Sequence, residues 1–178
     1  AAGHLRRALE LNPNYVTGRL WYSYFLGMTG QFDGAITEAR RALELAPLTA
    51  FVRHTLSWAF YHAGRYSEAE VAARKLAVDE PRYGLAQLFL CSVLRHTGAF
   101  DEAVEAGRRA VKLIGRSPYT LCWLASAYAS AGGREQAYAL LAEVGEMSAS
   151  RYVSPYLLAL ARVDGVMLSR QAYHDPYC

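Results

Sequence analysis

Gly30-Gln31-Phe32-Asp33-Gly34-Ala35-Ile36-Thr37-Glu38-Ala39-Arg40-Arg41-Ala42-Leu43-Glu44-Leu45-Ala46-Pro47 is the stretch that decides the fold, because its punctuation returns along the chain at a fixed step. Gly64, Gly98 and Gly132 follow Gly30 at intervals of 34 residues. Ala69, Ala103 and Ala137 follow Ala35 at the same interval, in a series that begins at Ala1. Pro13, Pro47 and Pro81 keep the step too, with Gly115 where the next proline would stand. Three interleaved series at one period mark tandem repeats rather than coincidence.

Between these markers the apolar residues recur at helical spacing. Leu56, Ala59, Phe60 and Ala63 make one stripe, Gly64-Arg65 punctuates, and Ala69, Ala72, Ala73 and Leu76 make a second. Each unit is therefore predicted to be two helices joined by a tight turn. The glycine takes the left-handed conformation that closes the first helix. The alanine lets the two helix backbones approach, and the proline ends the unit because it cannot continue a helix. Helix pairs are expected over about 16–46, 50–80, 84–114 and 118–148.

Period, small residues and proline together resemble the tetratricopeptide repeat, over residues 1 to about 165. The resemblance implies an all-α, right-handed α-solenoid of helix-turn-helix repeats, built repeat on neighbour. The chain then divides into a partial repeat (1–15), full repeats at 16–49, 50–83, 84–117 and 118–151, and a degenerate or truncated end repeat (152–178). Ala1 to Pro13 matches only the second helix of a repeat, and the last unit is short between Gly165 and Ala172. The start thus reads as that of a fragment or of a chain whose first residues are missing, and the last unit as a degenerate cap or one with residues missing. Arg151-Tyr152-Val153-Ser154-Pro155-Tyr156, with Tyr173 to Tyr177 after it, is similar to the ending of repeat arrays attached to bacterial regulators: winged-helix transcription factors, serine/threonine kinases and nucleotide cyclases.

Composition narrows the function. Hydrophobic residues at 53% against 20% charged are too many for a disordered chain, and a net charge of +3 makes no case for nucleic acid. Cys91, Cys122 and Cys178 are too few and too scattered for a disulfide framework or a CxxC zinc site, and fit a reducing compartment. No window is apolar enough for a membrane helix, and the first residues lack the order of a signal peptide. A soluble, cytoplasmic protein without membrane contact is expected.

In the family the first helices line a concave face where ligands bind. Helical projection puts Phe51, His54, Trp58, Tyr61 and His62 on one side of their helix, opposite the core stripe. Matching places hold Leu20, Trp21, Tyr24 and Met28, then Leu88, Phe89, Ser92, Arg95 and His96, then Tyr119, Cys122, Trp123 and Ser126. The expected peptide-binding groove comprises Trp21, Tyr24, Phe51, His54, Trp58, Tyr61, His62, Phe89, Arg95, His96, Tyr119, Trp123 and Ser126. Trp and Tyr combine large apolar area with a polar tip and recur at binding hot spots; the competing reading is packing between neighbouring helices. Some family members grip a terminal carboxylate with Lys, Arg and Asn at these places. Here only Arg95 is a firm cation, so the expected partner is an apolar or aromatic-rich protein or peptide segment. Self-association into a homo-oligomer and small-ligand sensing for an attached effector are the alternatives.

Other patterns have plainer readings. The pairs Arg6-Arg7, Arg40-Arg41, Arg74-Lys75 and Arg108-Arg109 recur with the period. Cations near helix C-termini complement the macrodipole, with Glu44, Glu70 and Glu105 to screen them, so a nucleic-acid ladder is disfavoured. His54 and His62 lie about 12 Å apart along a helix, too far to share a metal. His62 and His96 hold equivalent repeat positions, and both read as ligand- or solvent-facing without metal. There is no HExxH, GxSxG, phosphate-binding glycine loop or Cys-His-Asp grouping, so neither an enzyme nor a cofactor is expected. Cys91 reads as a small buried hydrophobe and Cys122 as a groove-facing thiol. Asp101, Glu102 and Glu105 read as a solvated face.

Overall fold

The computed structural model describes residues 2–149 and 152–154. Among these residues it contains nine helices and no strand: α1 (Ala2–Leu11), α2 (Val16–Met28), α3 (Phe32–Leu45), α4 (Ala50–His62), α5 (Tyr66–Asp79), α6 (Gly84–Thr97), α7 (Phe100–Ile114), α8 (Pro118–Ser130) and α9 (Arg134–Ser148). From α2 onward these spans fall inside the stretches that the periodicity marks as helical. No helix among the described residues is long and apolar enough to cross a membrane. The irregular end unit lies outside the described residues apart from 152–154.

One device closes the first helix of every pair. Gly30, Gly64, Gly98 and Gly132 have φ of 78, 72, 83 and 82°. The amide of the following residue donates back over the turn, Gln31 to Leu26 O at 2.8 Å, Arg65 to Phe60 O at 2.9 Å, Ala99 to Leu94 O at 3.0 Å and Gly133 to Tyr128 O at 2.8 Å. This is a Schellman closure, and a residue with a Cβ would cost roughly 1–2 kcal/mol there, so glycine recurs.

The recurring alanines set the helix spacing. Ala35, Ala69, Ala103 and Ala137 are fully buried. Opposite them in α2 and α4 sit buried serines: Ser23 Oγ donates to Ala35 O at 2.8 Å and Ser57 Oγ to Ala69 O at 3.0 Å. Cys91 holds the same repeat position in α6 and is likewise buried, its Sγ 3.8 Å from Trp123 O.

The chain divides at Phe89/Leu90, inside α6, into two compact units. In unit 1, α2 packs on α1, α3 and α4, and α4 on α3 and α5. Leu20, Ala42 and Val52 form one core cluster there. Buried Arg19 pairs with Glu38 at 2.5 Å and donates to Pro13 O through Nε (2.9 Å) and Nη2 (2.5 Å). In unit 2, α8 packs on α7 and α9 around Leu121, Cys122, Ala125, Ala137, Leu141, Val144 and Val153.

Two expectations need correction. Leu56 and Ala63 are only partly buried, and the interior side of α4 is carried by Val52, Thr55, Ser57, Ala59 and Phe60. Glu70 and Glu105 pair with Arg74 (2.7 Å) and Arg109 (3.2 Å), but Arg41 reaches Glu38 (3.6 Å), which also holds Arg19, rather than Glu44.

Candidate functional site: an aromatic first-helix face

In unit 1 the side chains of α2 and α4 meet ring to ring. Trp21 is 58% exposed and lies 6.1 Å from Tyr24, centroid to centroid. Tyr24 is 4.5 Å from Trp58 and 6.2 Å from Phe51. Phe51 stacks on His54 at 6.3 Å with 12° between the planes, and His54 meets the edge of Phe89 at 5.0 Å. Trp58 continues to His62 at 4.3 Å, and Tyr61 touches His62 (5.3 Å), Tyr66 (5.5 Å) and Phe89 (5.6 Å). The eight predicted residues of this unit, Trp21 to Phe89, are thus one contiguous set. Tilted and edge-on contacts of this kind suit the ring quadrupoles.

The set is partly structural. A Cβ on Gly27 would lie 2.7 Å from Cη2 and Cζ3 of Trp58, so the indole occupies a slot that exists because residue 27 has no side chain. Trp58 and Tyr24 are half-buried, whereas Trp21, Phe51 and Met28 stand in solvent. Thr55 Oγ1 donates to Tyr24 Oη at 3.4 Å, and that oxygen lies 3.5 Å from His54 Nδ1. Burial pushes His54 down to about 4 and lowers His62 as well, so both are neutral at pH 7. The α2 and α4 face then carries no formal charge.

Unit 2 differs. Tyr119 and His96 are exposed, and Arg95 Nε donates to Ser130 Oγ at 3.2 Å. Trp123 is half-buried, with an Nε1–H that is buried and meets no acceptor among the described residues. Ser126 is buried at 1% exposure, its carbonyl accepting from Ser130 Oγ at 3.1 Å, and does not line an open groove. Cys122 is not groove-facing either: it lies in the α8/α9 core, where burial pushes its thiol up to about 11. Leu20, Leu88 and Ser92 are buried too. A single-face projection misplaces these residues because the helix is covered on more than one side.

Sequence reasoning missed Gly27, Thr55 and Tyr66. Gly27 carried a signal, since a glycine inside a helical run asks for a packing reason; Tyr66, at the start of α5, carried none. Among the described residues no three His, Cys, Asp or Glu side chains are grouped to hold a metal.

Paired helices, glycine closures and alanine crossings define a helix-turn-helix repeat protein of the α-solenoid class. Residues 54–119 match the family model described as the tetratricopeptide repeat (TPR). No curated protein matches the chain. It is similar to the solved structure of TTC0263, a thermophilic TPR protein of Thermus thermophilus, with a TM-score of 0.77 at 20% identity over 92% of this chain and 88% of that one. PilW, a widely conserved type IV pilus biogenesis factor, gives 0.75 at 19% over 94% and 77%. YrrB, described as a TPR protein with an unusual peptide-binding site, gives 0.63 at 19% over 92% and 93%. At these identities the likeness is one of fold.

Proposed function

We propose that the chain is a non-catalytic recognition module that takes an apolar or aromatic-rich segment of a partner protein along the ring-lined face of unit 1. It serves as an accessory array of a larger bacterial regulatory protein in the cytoplasm. The observation that carries this reading is the contiguous, uncharged set of rings from Trp21 to Phe89, anchored by Trp58 on Gly27 and open to solvent at Trp21 and Phe51. Rings already locked by their neighbours lose little entropy on binding, which favours affinity. Peptide binding by YrrB, a fold neighbour, is consistent with this use of the fold. The regulatory parent rests on the similarity of residues 151–156 and 173–177, of which 152–154 are among the described residues.

A random-peptide display selection on the immobilised chain, run beside Trp21→Ala/Phe51→Ala, tests the reading. The pair is chosen because both side chains are exposed, so the fold is retained; circular dichroism checks this. Peptides rich in apolar and aromatic residues, retained by the parent and lost by the variant, are expected. Enrichment of acidic C-termini, or equal retention by both proteins, contradicts it.

A further inference from the structure

We propose that a cleft between α7 and α9 of unit 2 binds a small amphiphilic anion, an aryl or short-alkyl body bearing one carboxylate or sulfonate, with Arg108 reading the anionic group. The recess holds about 450 Å³, has an apolar floor that includes Val111, Leu124 and Leu140, and is edged by Arg108, Lys112 and Tyr128. An adjoining recess of about 390 Å³ shares Arg108, Tyr128 and Gln136 and is also lined by Asp101. Volumes of this order accommodate small ligands, and an apolar floor with a few convergent polar groups is their usual form.

The repeat register isolates Arg108. Arg40, Arg74 and Arg108 occupy one position in successive second helices. Arg74 is neutralised by Glu70 at 2.7 Å. Arg40 lies over the Phe60 ring at 5.6 Å, which offers no hydroxyl to hold it. Arg108 lies over the Tyr128 ring at 5.5 Å and also donates Nε–H to Tyr128 Oη at 2.8 Å. Two contacts with one neutral side chain fix the guanidinium plane and leave its Nη edge with no carboxylate partner among the described residues. Such a fork matches a planar anion, and the ordering of the side chain is already met in the free protein. Lys112 adds a second positive charge without a carboxylate partner among those residues. Of the nearby acids, Glu143 holds Arg116 and Glu105 holds Arg109, while Asp101 lines the adjoining recess about two helical turns before Arg108 on α7. The ring-lined face of unit 1 plays no part in this site.

Fluorescence titration of the full chain with anilinonaphthalenesulfonate, and with its uncharged analogue phenylnaphthylamine, tests the assignment. Arg108→Gln is expected to weaken the sulfonate about tenfold, as loss of a charge-assisted hydrogen bond does, and to leave the uncharged dye unchanged. Tyr128→Phe, which keeps the ring and the arginine but frees the fork, is expected to weaken the sulfonate in the same direction. Ala139→Trp, which fills the recess, abolishes both signals, and Val71→Ser, on the exposed side of α5, alters neither. Equal sulfonate affinity in the parent and Arg108→Gln overturns the proposal, as does a loss confined to Phe51→Ala, which would put the dye on unit 1.

Discussion

Gly27→Ala is the sharpest local test of how the ring-lined face is built, because two opposing effects of known size meet at one atom. Alanine inside a helix is better than glycine by about 1 kcal/mol. Gly145 in α9 has nothing within 4 Å of a built Cβ, so Gly145→Ala should show that gain undiluted. At Gly27 the new methyl would sit 2.7 Å from two Trp58 ring carbons, well inside the normal carbon separation of about 3.5–4.0 Å. The indole has little room to yield, with Tyr24 at 4.5 Å and His62 at 4.3 Å, centroid to centroid. Overpacking of this kind costs about 1–3 kcal/mol. The net expectation is a loss of about 0–2 kcal/mol for Gly27→Ala against a gain of about 1 for Gly145→Ala. Urea unfolding followed by far-UV circular dichroism reads both, and the Gly27→Ala penalty should shrink in a Trp58→Phe background if the clash is the cause. Equal stabilisation by the two substitutions would show that Trp58 does not fill a slot at Gly27.

Three further outcomes are expected. Gly64→Ala meets no side chain but forces a Cβ residue to φ of 72°, so it should lose roughly 1–2 kcal/mol in the same assay; no change would contradict the left-handed closure. His54 is held at about 4 in the folded chain against 6.5 for a free imidazole, so the unfolded state takes up its proton first. Stability is then lost as pH falls from about 6.5 toward 4, by up to about 3 kcal/mol, and His54→Phe should flatten that limb of a stability profile; an equally steep profile would refute the burial. Burial pushes the thiols of Cys91 and Cys122 up to about 12 and about 11. Neither should react with a disulfide reagent at mildly alkaline pH until denaturant is added, whereas labelling of either in the folded chain, located by peptide mapping, would contradict their placement.

Much of the fold was legible because its markers have single steric causes. A residue that must hold φ near 80°, as Gly30 and Gly98 do, leaves few alternatives to glycine, and Ala35 or Ala103, at zero exposure, leaves no room for a longer side chain. Such positions repeat in sequence because the constraint repeats in space. The aromatic face was legible in part for the same reason, since α2 and α4 expose one side along a 3.6-residue period. What a period cannot carry is the surroundings of the other faces. Cys122 and Ser126 hold the repeat positions of His54 and Trp58, which are partly exposed in unit 1, yet α8 is covered around them. The slot under Trp58, the Ser23 and Ser57 bonds across the helix crossing, and the inward turn of Arg19 to Glu38 each join residues 12 to 31 positions apart. They depend on tertiary packing that no local pattern encodes.

Partner binding is proposed for the uncharged ring face of unit 1. Calorimetric titration of one display-selected peptide tests it most directly, against the parent chain, Trp21→Ala/Phe51→Ala, and Val71→Ser/Val78→Ser, whose valines are exposed on α5. A loss of about tenfold or more with the first pair, no change with the second, and affinity insensitive to salt are expected. Loss with the valine pair alone, or affinity that collapses at high salt, would place recognition elsewhere on the molecule.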